Sequence, residues 1–338
     1  MLASSKNFNN IKIHTQYSIC EGAIKIDDLA EYCKNNKIKS LGLTDSYNLC
    51  GALEFSEKLS KVGTHPIIGT QINLKEGNII GKITLYAKTE TGYKNLTKLS
   101  SLSYLKGKST EEPSCEIKDL ITYCNDIIIL TGNYRDFFGK LFKANKLKNF
   151  NDIINILKKY FKDKIYFEIQ RHDETKEKNF ENFILDKSNL LNIPLIATQE
   201  IFYINQDMYE AHDALRCIGE KTFVEDKKRF KLSNQHYFKD DNELKKIFSD
   251  IPEALENNYN FHLRFNFKPK KSKPILPLIT HSNNNTSEDE LLTQAKKGLI
   301  NRIENFINKK IISKDDNEIK KIYTDRLEHE INIINSMN

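Results

Sequence analysis

Short runs of β-branched and aromatic residues alternate with longer amphipathic stretches over the first 200 residues of the chain. The runs "IKIH" (11–14), "SLGLT" (40–44), "PIIGTQINL" (66–74), "KITLYA" (82–87), "DIIILT" (126–131), "KIYFEIQ" (164–170) and "PLIATQ" (194–199) read as strands. Helical periodicity fills most of the intervals, at 26–35, 50–61, 92–105, 135–145, 151–161 and 174–191. Strands that alternate with helices predict a parallel sheet with crossover connections, and seven of them fit a closed or nearly closed barrel. Chemistry in such a barrel gathers where the strands run out at their C-terminal ends. Those ends read His14, Thr44-Asp45-Ser46, Gln71, Thr131-Gly132-Asn133, Gln170-Arg171-His172 and Gln199-Glu200, and are rich in polar groups.

Beyond residue 205 the pattern turns helical and irregular. Pro252 opens a helix over 250–261. The stretch "KPKKSKPILPLI" (268–279) has three prolines and no periodicity, which marks a linker. After it, Ser287 and Glu290 have capping-box spacing, and Leu291, Ala295 and Leu299 share a helical face. A last helix carries Ile319, Tyr323, Leu327 and Ile334 as a stripe. The expected division is a barrel domain over 1–270, a linker over 271–284 and an incomplete helical segment over 285–338.

Composition adds little to this picture. The net charge is +6, from 52 basic and 46 acidic residues, and lysine and asparagine are abundant throughout. The basic runs Lys227–Lys231 and Lys268–Lys273 are therefore read as solvated loops and not as tracks for phosphate. Six scattered cysteines form no CxxC pair, no apolar run is long enough to cross a membrane, and the N-terminus has no signal-peptide stretch. A cytoplasmic protein with no membrane partner is expected. There is no phosphate loop, no Gly-x-Ser-x-Gly elbow and no HExxH helix.

Lys12 and His14 stand two apart on the first strand and so point to one side. A His-x-His pair there would clamp a metal ion, whereas a lysine ammonium repels one. His172 reads as a hydrogen-bonded loop histidine. His212, beside Glu210 and Asp213 on a helix, reads as ordinary surface. Tyr93 and Leu96 read as helix packing.

The stretches "KIHTQYSICEGAIKIDDL", "LGLTDSYNLCGALEF", "PIIGTQINL", "TLYAKTETGYKNLTKLSS", "YFEIQRH", "LIATQEIFYINQDMYEAHDALRCI" and "FSDIPEALENN" together resemble the N-terminal region of bacterial DNA polymerase III alpha subunits. The resemblance runs from about residue 8 to the end. It implies a polymerase-and-histidinol-phosphatase (PHP) domain: an α/β fold, a distorted seven-stranded (β/α) barrel, followed by a short helical segment that starts the polymerase palm. Metal-binding members hold a cluster of ions at the barrel mouth. Carried onto this sequence, their ligand positions fall on Lys12, His14, Glu21, Ser46, Gln71, Lys82, Asn133, Glu200 and Phe202. Only His14, Glu21 and Glu200 keep side chains suited to ligation. The resemblance thus implies a dismantled metal site, no catalytic residue and no cofactor in this chain, with Lys12 pairing instead with Glu21 or Glu200.

For a full-length member it implies DNA-directed DNA synthesis with Mg2+ on palm aspartates that lie beyond residue 338. DNA is then bound mainly through regions absent here. The implied partners are an epsilon-type proofreading exonuclease subunit docked on the barrel, other replicase subunits and the sliding clamp. Two other readings stand beside this one. The first is a stand-alone metal-dependent phosphoesterase or 3′-exonuclease, which needs the missing ligands. The second is a split-gene product that persists as a binding module.

Overall fold

A computed structural model describes residues 7–106, 112–174, 176–275 and 286–337. Contacts divide the chain into two compact units, Met1–Lys271 and Ser272–Asn338. Much of the expected linker, from residue 276 to 284, lies outside the described residues.

The first unit is built on strands β1 (Asn10–Ile13), β2 (Ser40–Leu43), β3 (His65–Glu76), β4 (Ile79–Ala87), β5 (Cys115–Glu116), β6 (Ile127–Leu130), β7 (Ile165–Ile169), β8 (Leu195–Ala197) and β9 (Glu200–Ile201). They form one sheet in the order β8-β7-β6-β4-β3-β2-β1-β9, with β5 paired to β3. Each of the seven predicted strands is present; β5 and β9, of two residues each, are additions. The expectation of an all-parallel sheet is corrected at β4, which is antiparallel to both β3 and β6. Only Gly77 and Asn78 separate β3 from β4. So short a connection closes a hairpin and cannot cross over to a parallel neighbour. Gly77 supplies the positive φ, 57°, that the turn requires.

Alternation along the strands separates two layers of core. Ile72 and Leu74 of β3, Ile83, Leu85 and Ala87 of β4, Ile127 and Ile129 of β6, and Ile165, Phe167 and Ile169 of β7 pack outward against the helices. Residues of the opposite parity face the barrel axis. At one end they are apolar: Ile11, Ile67, Tyr86, Ile128, Tyr166 and Ile196 cluster there, closed below by Phe261 and Phe265. The Tyr86 hydroxyl donates to the Ile11 carbonyl across this floor at 2.9 Å, which satisfies a polar atom that is otherwise enclosed by hydrocarbon. Further along the same inward columns come Gln71, Lys82, Thr84, Glu168, Gln170 and Thr198, all polar. The barrel is therefore sealed at one end and charged at the other.

The helix Pro252–Phe261 begins at its proline as expected. Asn258 on this helix holds the barrel start by accepting from the Asn9 amide at 2.8 Å and donating to the Asn9 and Ala197 carbonyls, each at 2.9 Å.

In the second unit, helices Ser287–Asn308 and Asn317–Ser336 pair with one another. The capping box falls one residue earlier than the sequence spacing indicated: Thr286 is the N-cap and Asp289 its partner, instead of Ser287 and Glu290. Threonine has the same hydroxyl geometry as serine, so both registers satisfy the motif. Leu291, Tyr323 and Ile334 remain exposed, and Ile312 and Ile331 are the buried apolar residues of this unit among those described.

Candidate functional site: a charged barrel mouth

The polar end of the barrel gathers the nine positions singled out in the sequence, arranged around two lysines. Lys12, on β1, is wholly buried. Its ammonium lies 3.3 Å from Glu168 Oε1, 3.5 Å from Asp136 Oδ2 and 3.6 Å from Glu200 Oε1. In the sheet order four strands separate β1 from β7, which carries Glu168. A contact across that gap shows that the sheet curls round and the two meet through the interior. Burial pulls the Lys12 pKa down, but Glu168, Glu200 and Asp136 outweigh it and hold the pKa above the ordinary 10.5.

Glu200 is shared. His14 Nε2 approaches its Oε1 at 3.2 Å and Gln71 Nε2 donates to the same oxygen at 2.9 Å. Arg135 stands 3.8 Å from its other oxygen. Burial pushes this carboxyl upward, yet Lys12 and His14 prevail and keep it well below the usual carboxylate range. Phe202 packs on the His14 ring at 4.6 Å between centroids. A benzene ring thus covers the imidazole where the family motif would place a further ligand.

The second lysine, Lys82 on β4, donates to both oxygens of Glu21 at 2.8 Å and to Ser46 Oγ at 2.9 Å. Ser46 in turn donates to Glu21 Oε2 at 2.5 Å. Burial raises the Glu21 pKa, but Lys82 and His14 overcome this and bring it to about 2. The pairing expected of Lys12 is therefore found with Glu200 and corrected for Glu21, whose charge is taken by Lys82. Asn133 donates to Gln170 at 2.8 Å, and Gln170 donates to Glu168 at 2.5 Å, which ties the fifth expected strand end to the Lys12 cluster. Asp45 is buried and has partners of its own. It accepts from the Thr15 amide, the Thr15 hydroxyl and the Ser18 hydroxyl, each at 2.7 Å.

Sequence reasoning missed Glu168 and Asp136. Strand parity identifies the first, because Tyr166, Glu168 and Gln170 alternate with the outward Ile165, Phe167 and Ile169. Asp136 had no such signal, lying in the turn that follows β6. The surface reading of His212 is also corrected: it is buried, and its Nε2 meets the Glu21 carbonyl at 2.7 Å. Helix packing against the loop 15–22 hides it. Its neighbour Asp213 binds Arg229 through both oxygens, at 2.7 and 2.5 Å, so one member of the basic run 227–231 is half-buried and ion-paired and not a solvated loop residue. His172 is buried as well. It accepts from the Glu200 amide at 3.3 Å and stacks on His236 with centroids 4.0 Å apart. Burial keeps both of these imidazoles well below the ordinary 6.5.

These residues do not fit a metal cluster of the PHP kind. An ion among Glu168, Asp136 and Glu200 would have to displace the Lys12 ammonium, and one at Glu21 would meet Lys82 at hydrogen-bond distance. Each lysine already supplies the positive charge that the carboxylates require. Among the described residues, no three His, Cys, Asp or Glu side chains are grouped to hold an ion.

Residues 10–172 match the family model of the PHP domain, and the barrel is a PHP domain. The chain is similar to the N-terminal part of bacterial DNA polymerase III alpha subunits. It is 34% identical to DNA polymerase III subunit alpha of Rickettsia bellii over 98% of its own length, and 31% identical to that of Caulobacter vibrioides over 99%. It spans 28% and 29% of the length of these relatives. Among solved structures, a two-domain protein from Bacteroides vulgatus containing a PHP-like metal-dependent phosphoesterase aligns over 70% of this chain and 62% of its own, at 10% identity and a TM-score of 0.36. That likeness is too remote to bear on the site. Among the described residues no helix is long and apolar enough to cross a membrane.

Proposed function

We propose that this chain is the N-terminal part of a replicative DNA polymerase III alpha subunit, in which the PHP barrel is a metal-free scaffold. The observation that carries the scaffold reading is the placement of Lys12 and Lys82 at former ligand positions, Lys12 among three carboxylates and Lys82 held by both oxygens of Glu21. A hydrolytic PHP site needs open coordination positions for water and substrate. Here the groups that would create them are spent on lysine. DNA synthesis, with its Mg2+ requirement, belongs to the longer polypeptide, as does contact with DNA, the sliding clamp and other replicase subunits. The barrel itself offers a rigid outer surface on which a separate proofreading exonuclease docks. The setting is the cytoplasm, where bacterial chromosomes are copied.

Two measurements test this. After exposure to zinc and manganese followed by desalting, elemental analysis is expected to find far less than one ion per chain. A stoichiometric ion would sink the scaffold reading. When the chain is mixed with the proofreading exonuclease subunit of the same organism, the two are expected to co-elute on gel filtration. Separate elution would remove the docking role and leave the scaffold reading intact.

A further inference from the structure

Away from the mouth, residues 265–270 run outside any helix or strand along the outside of the barrel, starting from an extended Phe265. Burial alternates along them. Phe265 is buried in the barrel floor, and Pro269 is buried with its carbonyl accepting from Ser56 Oγ at 3.2 Å. Phe267 packs on Tyr93 with centroids 5.4 Å apart. Asn266, Lys268 and Lys270 face outward. The segment is thus clamped between helix Ala52–Lys61 and helix Glu90–Leu105 without joining the sheet. Among the described residues, the backbone amides of Phe267 and Lys268 make no hydrogen bond to another backbone.

Between this segment and helix Glu90–Leu105 lies a groove of about 840 Å3. Tyr93 and Phe267 supply its apolar floor, and Lys94, Lys98, Lys268 and Lys270 its rim. Glu90 is the acidic residue of the lining, and it is already paired with Lys94 at 2.8 Å. Lys98 lies over the Tyr123 ring, and Lys268 donates to Ser60 Oγ at 3.0 Å. Neither these two nor Lys270 forms an ion pair with a carboxylate among the described residues.

We infer that this groove binds an extended acidic peptide segment with a bulky apolar anchor. The anchor sits against Tyr93 and Phe267, its carboxylates face the lysine rim, and its backbone meets the main-chain groups of Phe267 and Lys268, whereas the Asn266 amide is already bonded to the Lys88 carbonyl at 3.3 Å. Those main-chain groups distinguish a peptide from single-stranded nucleic acid. Both would meet lysines and an aromatic ring, but only a peptide uses unpaired main-chain groups in strand addition. The inference concerns the groove alone and stands whether or not an exonuclease docks on the barrel.

The test titrates the 338-residue chain into a fluorescein-labelled peptide that alternates glutamate with phenylalanine and leucine, read by anisotropy. The comparison probes are a peptide with lysine in place of glutamate and an oligothymidylate. The acidic peptide is expected to bind and the other two not. The double variant Lys268→Glu with Lys270→Glu, both exposed and outside the core, is expected to weaken binding about tenfold or more, as two reversed surface charges do. Phe267→Ser is expected to weaken it as well, and circular dichroism confirms that each variant is folded. Equal binding of the two peptides, tighter binding of the oligonucleotide, or an unchanged affinity in the charge-reversed variant each overturns the inference.

Discussion

At the scale of single residues, the barrel mouth is a problem in charge neutralisation. Three carboxylates surround Lys12, and each is buried. Removing the ammonium leaves them to repel one another with no water to help. Lys12→Met is therefore expected to destabilise the barrel by about 3–5 kcal/mol, the usual cost of breaking a buried pair from one side. Adding Glu168→Leu to that variant should recover part of the loss, and thermal denaturation of the three proteins checks both statements. The pH dependence has opposite signs at Lys12 and at Glu21, which belong to separate ion pairs. Lys12 has its pKa raised above 10.5, so its contribution is complete below 10.5 and is lost only in stronger alkali. Glu21 has its pKa lowered from 4.5 to about 2, so its contribution is present above 4.5 and disappears as the pH falls toward 2. The melting temperature of Glu21→Gln should accordingly fall less steeply than that of the parent over this acid range. An identical slope would show that the Glu21–Lys82 pair does not govern acid stability.

At the scale of elements, much was legible because inward and outward residues alternate so regularly. The seven longer strands announce themselves as β-branched runs, and the helices between them follow from periodicity. What escaped were features set by pairing and not by composition. β9 has only two residues, Glu200 and Ile201, and is a strand because it lies beside Lys12 and Ile13. The reversed direction of β4 was written in the Gly77-Asn78 interval, too short for a crossover. The site was read through its ligand positions, which brought Lys12, Lys82 and Glu21 into view but left Glu168 as one more strand residue. Close approach also sets limits on substitution. A Cβ on Gly42 of β2 would lie 2.0 Å from the Ile11 carbonyl oxygen of β1. Gly42→Ala is expected to force these strands apart and lower the urea midpoint, at a cost of about 1–3 kcal/mol or more. A midpoint equal to that of the parent would mean that β1 shifts freely, against its pairing on both sides.

For the whole molecule, the division at Lys271 separates a unit with a deep core from one whose apolar stripes are largely exposed. The barrel contains its own closure, since Asn9 near its start is bonded to Asn258 near its end. A chain ending at Lys271 is expected to stay folded and to unfold in a single cooperative transition, followed by circular dichroism. A broad or absent transition would show that the barrel depends on residues beyond it.

The lysines at the mouth have a consequence for how such a barrel comes into being. A centre made of metal and ligands is finished only when the ion arrives, so its yield of folded protein follows the concentration of that ion outside the chain. A centre made of ammonium and carboxylate is translated complete. Its positive charges are inherited with the gene and arrive in fixed stoichiometry with the negative ones.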